Sequence, residues 1–187
     1  MAFWTEQNAQ PKRNYRFRVV ISAFDTDAVW WAKSFKPPTY EISEATHDHL
    51  DNKFYFPGRV SWGECSMTLV DPAGTGAEGV DAVQLTNQVI EKSGYVIKGK
   101  GMTPKTVNKD EASSVGLVGV TIQILNASGD AIETWTLKNP WIKSVSFSDL
   151  AYDNDDLRTI DLSFRYDWAT CEIDGVEQFK EPPTAQN

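Results

Sequence analysis

Cysteine and histidine are scarce, two of each in 187 residues. Cys65 and Cys171 cannot build a disulfide framework. His47 and His49 fall short of the three or four protein ligands that a zinc centre usually takes. Long apolar runs are missing as well. None approaches the ~18 residues of a membrane span, and the apolar stretch Val115–Val120 is short and interrupted by Gly116 and Gly119. The opening residues Met1 to Glu6 show no basic segment followed by an apolar one, so no secretory signal is expected. The expectation is a soluble chain made in a reducing compartment. Basic charge is in deficit, with 18 Lys and Arg against 26 Asp and Glu and a net charge of -8. That disfavours a protein that coats nucleic acid. An acidic surface near DNA would repel phosphate, which suits a conduit; its plainer use is solubility.

No complete catalytic constellation is present either. No serine sits in a Gly-x-Ser-x-Gly elbow. Gly99, Gly101 and the Gly74-Thr75-Gly76 stretch lack the spacing and the terminal Lys-Ser/Thr of a phosphate loop. Asp153, Asp155 and Asp156 resemble half a calcium loop, without its glutamate or the preceding helix, and read better as a solvated turn. His47-Asp48-His49, with Asp51 nearby, is an incomplete metal set and reads better as a polar loop. The chain is therefore expected to be no enzyme and to carry no cofactor or metal.

What the chain does have is aromatics, 7 Trp, 9 Phe and 6 Tyr, enough to drive a real core and interfaces. It also has period-two alternation. Ile160, Leu162, Phe164, Tyr166 and Trp168 alternate with Asp161, Ser163, Arg165 and Asp167, which predicts one strand with a dry face and a wet or partner-facing one. Tyr15 to Ile21 and Val29 to Phe35 read as two strands, paired as a hairpin through Asp25-Thr26-Asp27 and stopped by Pro37-Pro38. Residues 40–58 read as a long projecting hairpin or loop, and Trp62 to Val70 as a strand with Cys65, Met67 and Leu69 on one face. Residues 79–93 predict a helix whose inner face holds Val80, Val83, Asn87 and Ile90, closed by Gly94. A long polar loop follows at about 97–114. Strands return at Val118–Ile124, Ile132–Leu137 and Trp141–Phe147, the last with Trp141, Lys143, Val145 and Phe147 together. The organisation is an N-terminal arm at 1–13, one domain at 14–173 and a polar tail at 174–187. The class is mainly β, two packed antiparallel sheets with one flanking helix.

One cluster departs from simple alternation. Phe54, Tyr55 and Phe56 are consecutive aromatics beside Pro57-Gly58-Arg59, with Trp62 close behind. Apolar groups on both faces of a strand point to a second face covered by another subunit, or to ordinary core packing, or to a platform that stacks sugars.

The order of these features resembles the tail tube proteins of contractile-tailed, T4-like bacteriophages, over about Asn14 to Trp168. The carriers are Asn14 to Val19, Pro37-Pro38 with the loop to Lys53, Pro57 to Trp62 running into Met67 to Asp71, and the terminal stretch Phe164 to Trp168. The resemblance implies two roughly orthogonal sheets with a flanking helix, a fold shared with the type VI secretion (Hcp-like) tube protein. It implies hexameric rings that stack into a hollow tube for genome delivery, without catalytic residues. Partners would be further copies of the chain, a tail sheath protein, a baseplate or tube initiator and a tape-measure protein. DNA would pass without specific binding and no membrane would be involved. The place would be the virion, after assembly in the host cytoplasm. The inter-subunit contact would fall on Phe54, Tyr55, Phe56, Pro57, Gly58, Arg59 and Trp62. Asp161, Ser163, Arg165 and Asp167 would face the lumen or simply solvent. The longer arm and Pro-rich tail leave tube subunit, initiator and terminator all open, with a type VI secretion tube protein as a further alternative of the same fold. Outside the family, a monomeric carbohydrate-binding module stacking sugars on Trp62, Tyr55 and Phe54, or a hydrolase, are the rival classes.

Overall fold

A computed structural model describes residues 11–22, 31–72, 81–97, 99, 103–153 and 155–179. Two antiparallel sheets share one apolar core. The five-stranded sheet runs β1 (Phe17–Ile21), β6 (Val120–Leu125), β7 (Ala131–Lys138), β10 (Trp168–Ile173), β11 (Val176–Gln178). The four-stranded sheet runs β2 (Ala32–Lys36), β5 (Cys65–Val70), β9 (Thr159–Arg165), β8 (Trp141–Phe147). Val19, Ile21, Val120, Ile122 and Leu137 from the first meet Met67, Leu69, Ile160, Leu162 and Phe164 from the second, all buried. The third β element, a two-stranded ribbon of β3 (Tyr40–His49) and β4 (Asn52–Trp62), belongs to neither sheet.

The alternation that ends the domain is real, but it belongs to two strands. Ile160, Leu162 and Phe164 are fully buried and Tyr166 nearly so. The chain then turns a corner and Trp168 opens β10 in the other sheet, partly exposed. The hairpin expected between the first two strands does not form. β1 pairs with β6 and β2 with β5; the proposed turn at Asp25–Asp27 lies outside the described residues. Both strands have one apolar side, and two facing sheets bury both sides at once, which a local hairpin cannot.

In β8 the expected face is also broken. Lys143 is an extra residue between Ile142 and Ser144, so Ile142 and Val145 oppose the core residues Phe164 and Leu162 while Trp141 opposes Arg165. A bulge resets the alternation by one residue.

Helix α1 (Ala82–Lys92) begins at Asp81, whose carboxylate accepts from the Gln84 N–H at 3.0 Å. Its buried stripe is Ala82, Thr86 and Val89, with Ser93 just beyond, rather than the Asn87 face expected; Asn87 is exposed. The stripe is small because Gly116 packs on it: a Cβ there would lie 2.2 Å from Ser93 Oγ. Thr86 and Ser93 satisfy their hydroxyls on the helix's own carbonyls, Ala82 at 2.8 Å and Val89 at 2.6 Å.

The expected polar loop contains secondary structure among its described residues. Val96 and Lys105 bridge, and α2 (Lys109–Glu111) runs into a π-helical turn at Ala112–Gly116. Asn108 caps α2 by accepting from the Glu111 N–H at 2.8 Å. The expected tail likewise starts as structure. Asp174-Gly175, both at positive φ, turn β10 back into β11, the Asp-Gly hairpin signal.

Candidate assembly interface

The ribbon is the feature of this molecule that the core does not explain. Ten-residue β3 rises about 33 Å at ~3.3 Å per residue, and every residue of the ribbon except Trp62 is exposed. Phe54, Tyr55 and Phe56 keep 48%, 62% and 54% of their surface in solvent. A two-stranded ribbon with such a surface is marginal in water by itself.

Its two faces are set by one bulge. Ile42 pairs with Val60 and Glu44 with Pro57, so Ser43 opposes both Gly58 and Arg59. The Arg59 N–H donates to Ser43 Oγ at 2.9 Å. A Cβ on Gly58 would stand 2.3 Å from that oxygen and 2.8 Å from the Ser43 carbonyl oxygen, so only glycine fits. The extra residue reverses β4. Tyr55 and Pro57 share a face with Ile42, Val60, Glu44, Thr46 and Asp48. Phe54 and Phe56 share the other with Ala45, His47 and His49. The three consecutive aromatics are therefore presented in two directions. His47 and His49 lie beside Phe54 on this exposed ribbon; among the described residues no group of three or more His, Cys, Asp or Glu could hold a metal ion.

Trp62 separates from the others. It sits at the ribbon's root, edge-on to Tyr40 (ring centroids 5.4 Å apart), Phe179 (5.9 Å) and Tyr166 (6.1 Å). These rings join the ribbon, the β9–β10 corner and the end of the C-terminal hairpin. Beneath them Cys65 and Tyr166 are buried next to one another. Burial pushes the Cys65 thiol up to about 11 and holds the Tyr166 phenol up as well, with Cys65 adding to the effect.

The outward face of the four-stranded sheet carries short hydroxyl side chains. Ser66, Ser163 and Ser144 line up across β5, β9 and β8, and Thr68, Asp161 and Ser146 form the next row. Thr68 donates to Asp161 at 2.6 Å. Glu64 takes both Lys143 and Arg165, the latter at 3.4 Å. Lys143, ahead of Arg165, holds the Glu64 carboxyl below its ordinary range. Asp161, Ser163 and Arg165 thus share one face. Asp167 does not: it lies at the corner after β9, bonded to Lys109 at 2.6 Å and Asn139 at 2.8 Å. Lys109 and then Asn139 keep its carboxyl below the usual aspartate range. It staples α2 to the sheet corner. Nothing in the alternation showed that role, because Lys109 is remote in sequence.

No protein-family model matches the chain, and no curated protein matches it. Solved structures do. The tube-terminating cap of the anti-feeding prophage is 16% identical, with a TM-score of 0.61, over 92% of this chain and 99% of that one. A chain of the sheath/tube terminator of an extracellular contractile injection system (PVC) is 15% identical, TM-score 0.58, over 87% and 97%. A chain of that system's sheath–tube complex is 16% identical, TM-score 0.56, over 89% and 94%. The fold is of the tail-tube type. Mainly β with packed antiparallel sheets and a flanking helix is the class the sequence predicts, and at these identities the likeness carries the fold alone. These three chains come from the anti-feeding prophage and from an extracellular contractile injection system, and do not single out the T4-like phages.

Proposed function

We propose that the chain is a structural subunit of a contractile phage tail tube, forming hexameric rings that stack into a conduit for the genome. The observation that carries this is the ribbon: a well-formed element whose aromatics point both ways and are about half exposed, with none of the described residues burying them. A second copy is the natural cover, because heterologous contacts propagate and ring closure removes the open edges of β1, β2, β8 and β11. The Asp161, Ser163 and Arg165 face suits a lumen. Its hydroxyls offer no large apolar surface, and its cations are drawn to Glu64, so passing phosphate finds little to hold it. Sheath, baseplate or initiator, and tape-measure proteins would be the partners along the tube, within a virion assembled in the host cytoplasm.

The sugar-binding reading is disfavoured by the same geometry. Phe54 and Tyr55 lie on opposite faces, and Trp62 is engaged with three other rings, so the three cannot form one platform. A tube terminator is the reading that stays beside the tube subunit, supported by the coverage of the cap chain. Negative-stain microscopy of the purified protein decides between them. Long tubes identify the tube subunit and isolated rings the terminator. A chain that stays monomeric at every concentration overturns both. Phe56→Glu, which touches no core residue, should abolish assembly while leaving the circular dichroism spectrum and the melt unchanged.

A further inference from the structure

The ribbon is exposed, and the body of the subunit has an apolar cleft. Between edge strands β1 and β2 the two sheets leave a space of about 820 Å3, within the range of binding pockets. Phe17, Phe35 and Trp135 line it and Arg13 and Arg16 border it. Neighbouring Lys12 is held by Glu133, but among the described residues no carboxylate pairs with Arg13 or Arg16. The ribbon carries the complement. On its Tyr55 face Glu44 stands opposite Pro57, and Asp48 opposite Lys53; among the described residues Glu44 has no cationic partner. Lys53 shares that face, its ammonium 6.0 Å from the Tyr55 ring centroid and opposite Asp48, so the Glu44 end with Pro57 is the part whose charge complements an apolar floor with a basic border. The ribbon cannot fill its own subunit's cleft, since it is exposed along its whole length beyond Trp62.

We propose that the cleft between β1 and β2 receives the Tyr55 face of a second copy's ribbon, with Glu44 of one subunit against Arg16 of the next. The inference rests on the assembly reading and supplies its receptor. The test is charge exchange, read by sedimentation and microscopy after wild-type assembly has been established. Glu44→Arg and Arg16→Glu should each raise the protein concentration needed for assembly by at least about tenfold, and the double variant should restore it. Wild-type assembly with no effect of the single changes, or with no rescue by the double, overturns this inference and leaves the assembly reading standing. Wild-type protein that never assembles overturns both. Should a charge variant fail to fold, a chain carrying Ala32→Cys and Tyr55→Cys answers the same question. Oxidised assemblies should give a ladder of linked copies on a non-reducing gel; assemblies that form normally without a ladder overturn the proposal. A within-chain link between Trp4→Cys and Ala32→Cys would assign the cleft to the chain's own arm and would overturn it too.

Discussion

Gly58→Ala separates the ribbon's proposed role in assembly from its role in the fold. The new methyl would meet Ser43 Oγ at 2.3 Å and the Ser43 carbonyl oxygen at 2.8 Å. The hydroxyl can rotate away, at the loss of the bond from the Arg59 N–H, worth about 1 kcal/mol. The carbonyl cannot, so the strands must part locally, at an overpacking cost of about 1–3 kcal/mol. If those roughly 2–4 kcal/mol fell on the whole domain, the thermal midpoint would drop by about 4–16 °C, taking about 2–4 °C per kcal/mol at this size. The structure says they will not. Everything from Glu44 to Pro57 is exposed, so the ribbon can fray beyond the bulge without uncovering core. The expected result is a midpoint within about 3 °C of wild type together with loss of rings and tubes. Calorimetry on unassembled protein and sedimentation of concentrated protein measure the two. A midpoint lowered by more than about 4 °C would show that the ribbon is part of the cooperative unit. Normal tubes would show that the reversal of its faces is irrelevant to assembly.

Trp62→Ala should behave in the opposite way. It removes the ring that joins Tyr40, Tyr166 and Phe179 and should lower the midpoint by about 6–12 °C, from about 3 kcal/mol; a melt unchanged from wild type would refute the anchoring role. Asp167→Asn should cost up to about 1 kcal/mol at neutral pH, since Asp167 is about a third exposed and its partner Lys109 more than half exposed. Because the Asp167 carboxyl is held below its ordinary value of 3.8, its contribution is complete above that pH and is lost as pH falls below it. The variant's stability should therefore fall less steeply below about pH 4 than that of wild type, in denaturant titrations across pH; parallel profiles would contradict the pairing. Ser163→Lys should slow DNA ejection from reconstituted particles, with the delay shrinking as salt is raised; ejection at the wild-type rate would remove this sheet face from the lumen.

The core was legible in the sequence because each core strand states its buried side. Cys65, Met67 and Leu69, or Ile160, Leu162 and Phe164, can face only one way. Which strands pair is a different matter. β1 lies beside β6, about a hundred residues on in sequence, and the stronger partner is chosen by three-dimensional burial that no local turn signal reports. The bulge in β8 was hidden for a related reason. Lys143 looks like an ordinary strand position yet shifts the alternation beyond it, and Pro57-Gly58, which does read as a turn or bulge signal, does not say which faces the flanking residues then take. That is why Trp141 was grouped with Val145, and why Phe54, Tyr55 and Phe56 could not be assigned to faces. Asp167 continued the alternation perfectly and still left the strand, because Tyr166 is where the chain exchanges one sheet for the other. The consecutive aromatics marked a part of the chain that the structure leaves exposed, Phe54, Tyr55 and Phe56 on the ribbon, because a run that is apolar on both sides does not fit a strand with one buried face.

The edges of the four-stranded sheet add a constraint on how that cover arrives. β2 and β8 are its outer strands, and each carries a lysine as the extra residue of a bulge, Lys33 between Ala32 and Ser34 and Lys143 between Ile142 and Ser144. A bulge with a charged residue makes a poor template for an arriving strand. In the other sheet β11 offers only three residues. Outer strands β2, β8 and β11 are thus protected, while the ribbon is exposed along its length beyond Trp62. On the proposed reading this sets an order. Side chains at the far end of a ~33 Å arm recognise the correct neighbour first, and the backbone edges join only when that grip holds them in register. On that reading the arm supplies the specificity, because the bulged and short outer strands of the free subunit are poor templates for a wrong partner.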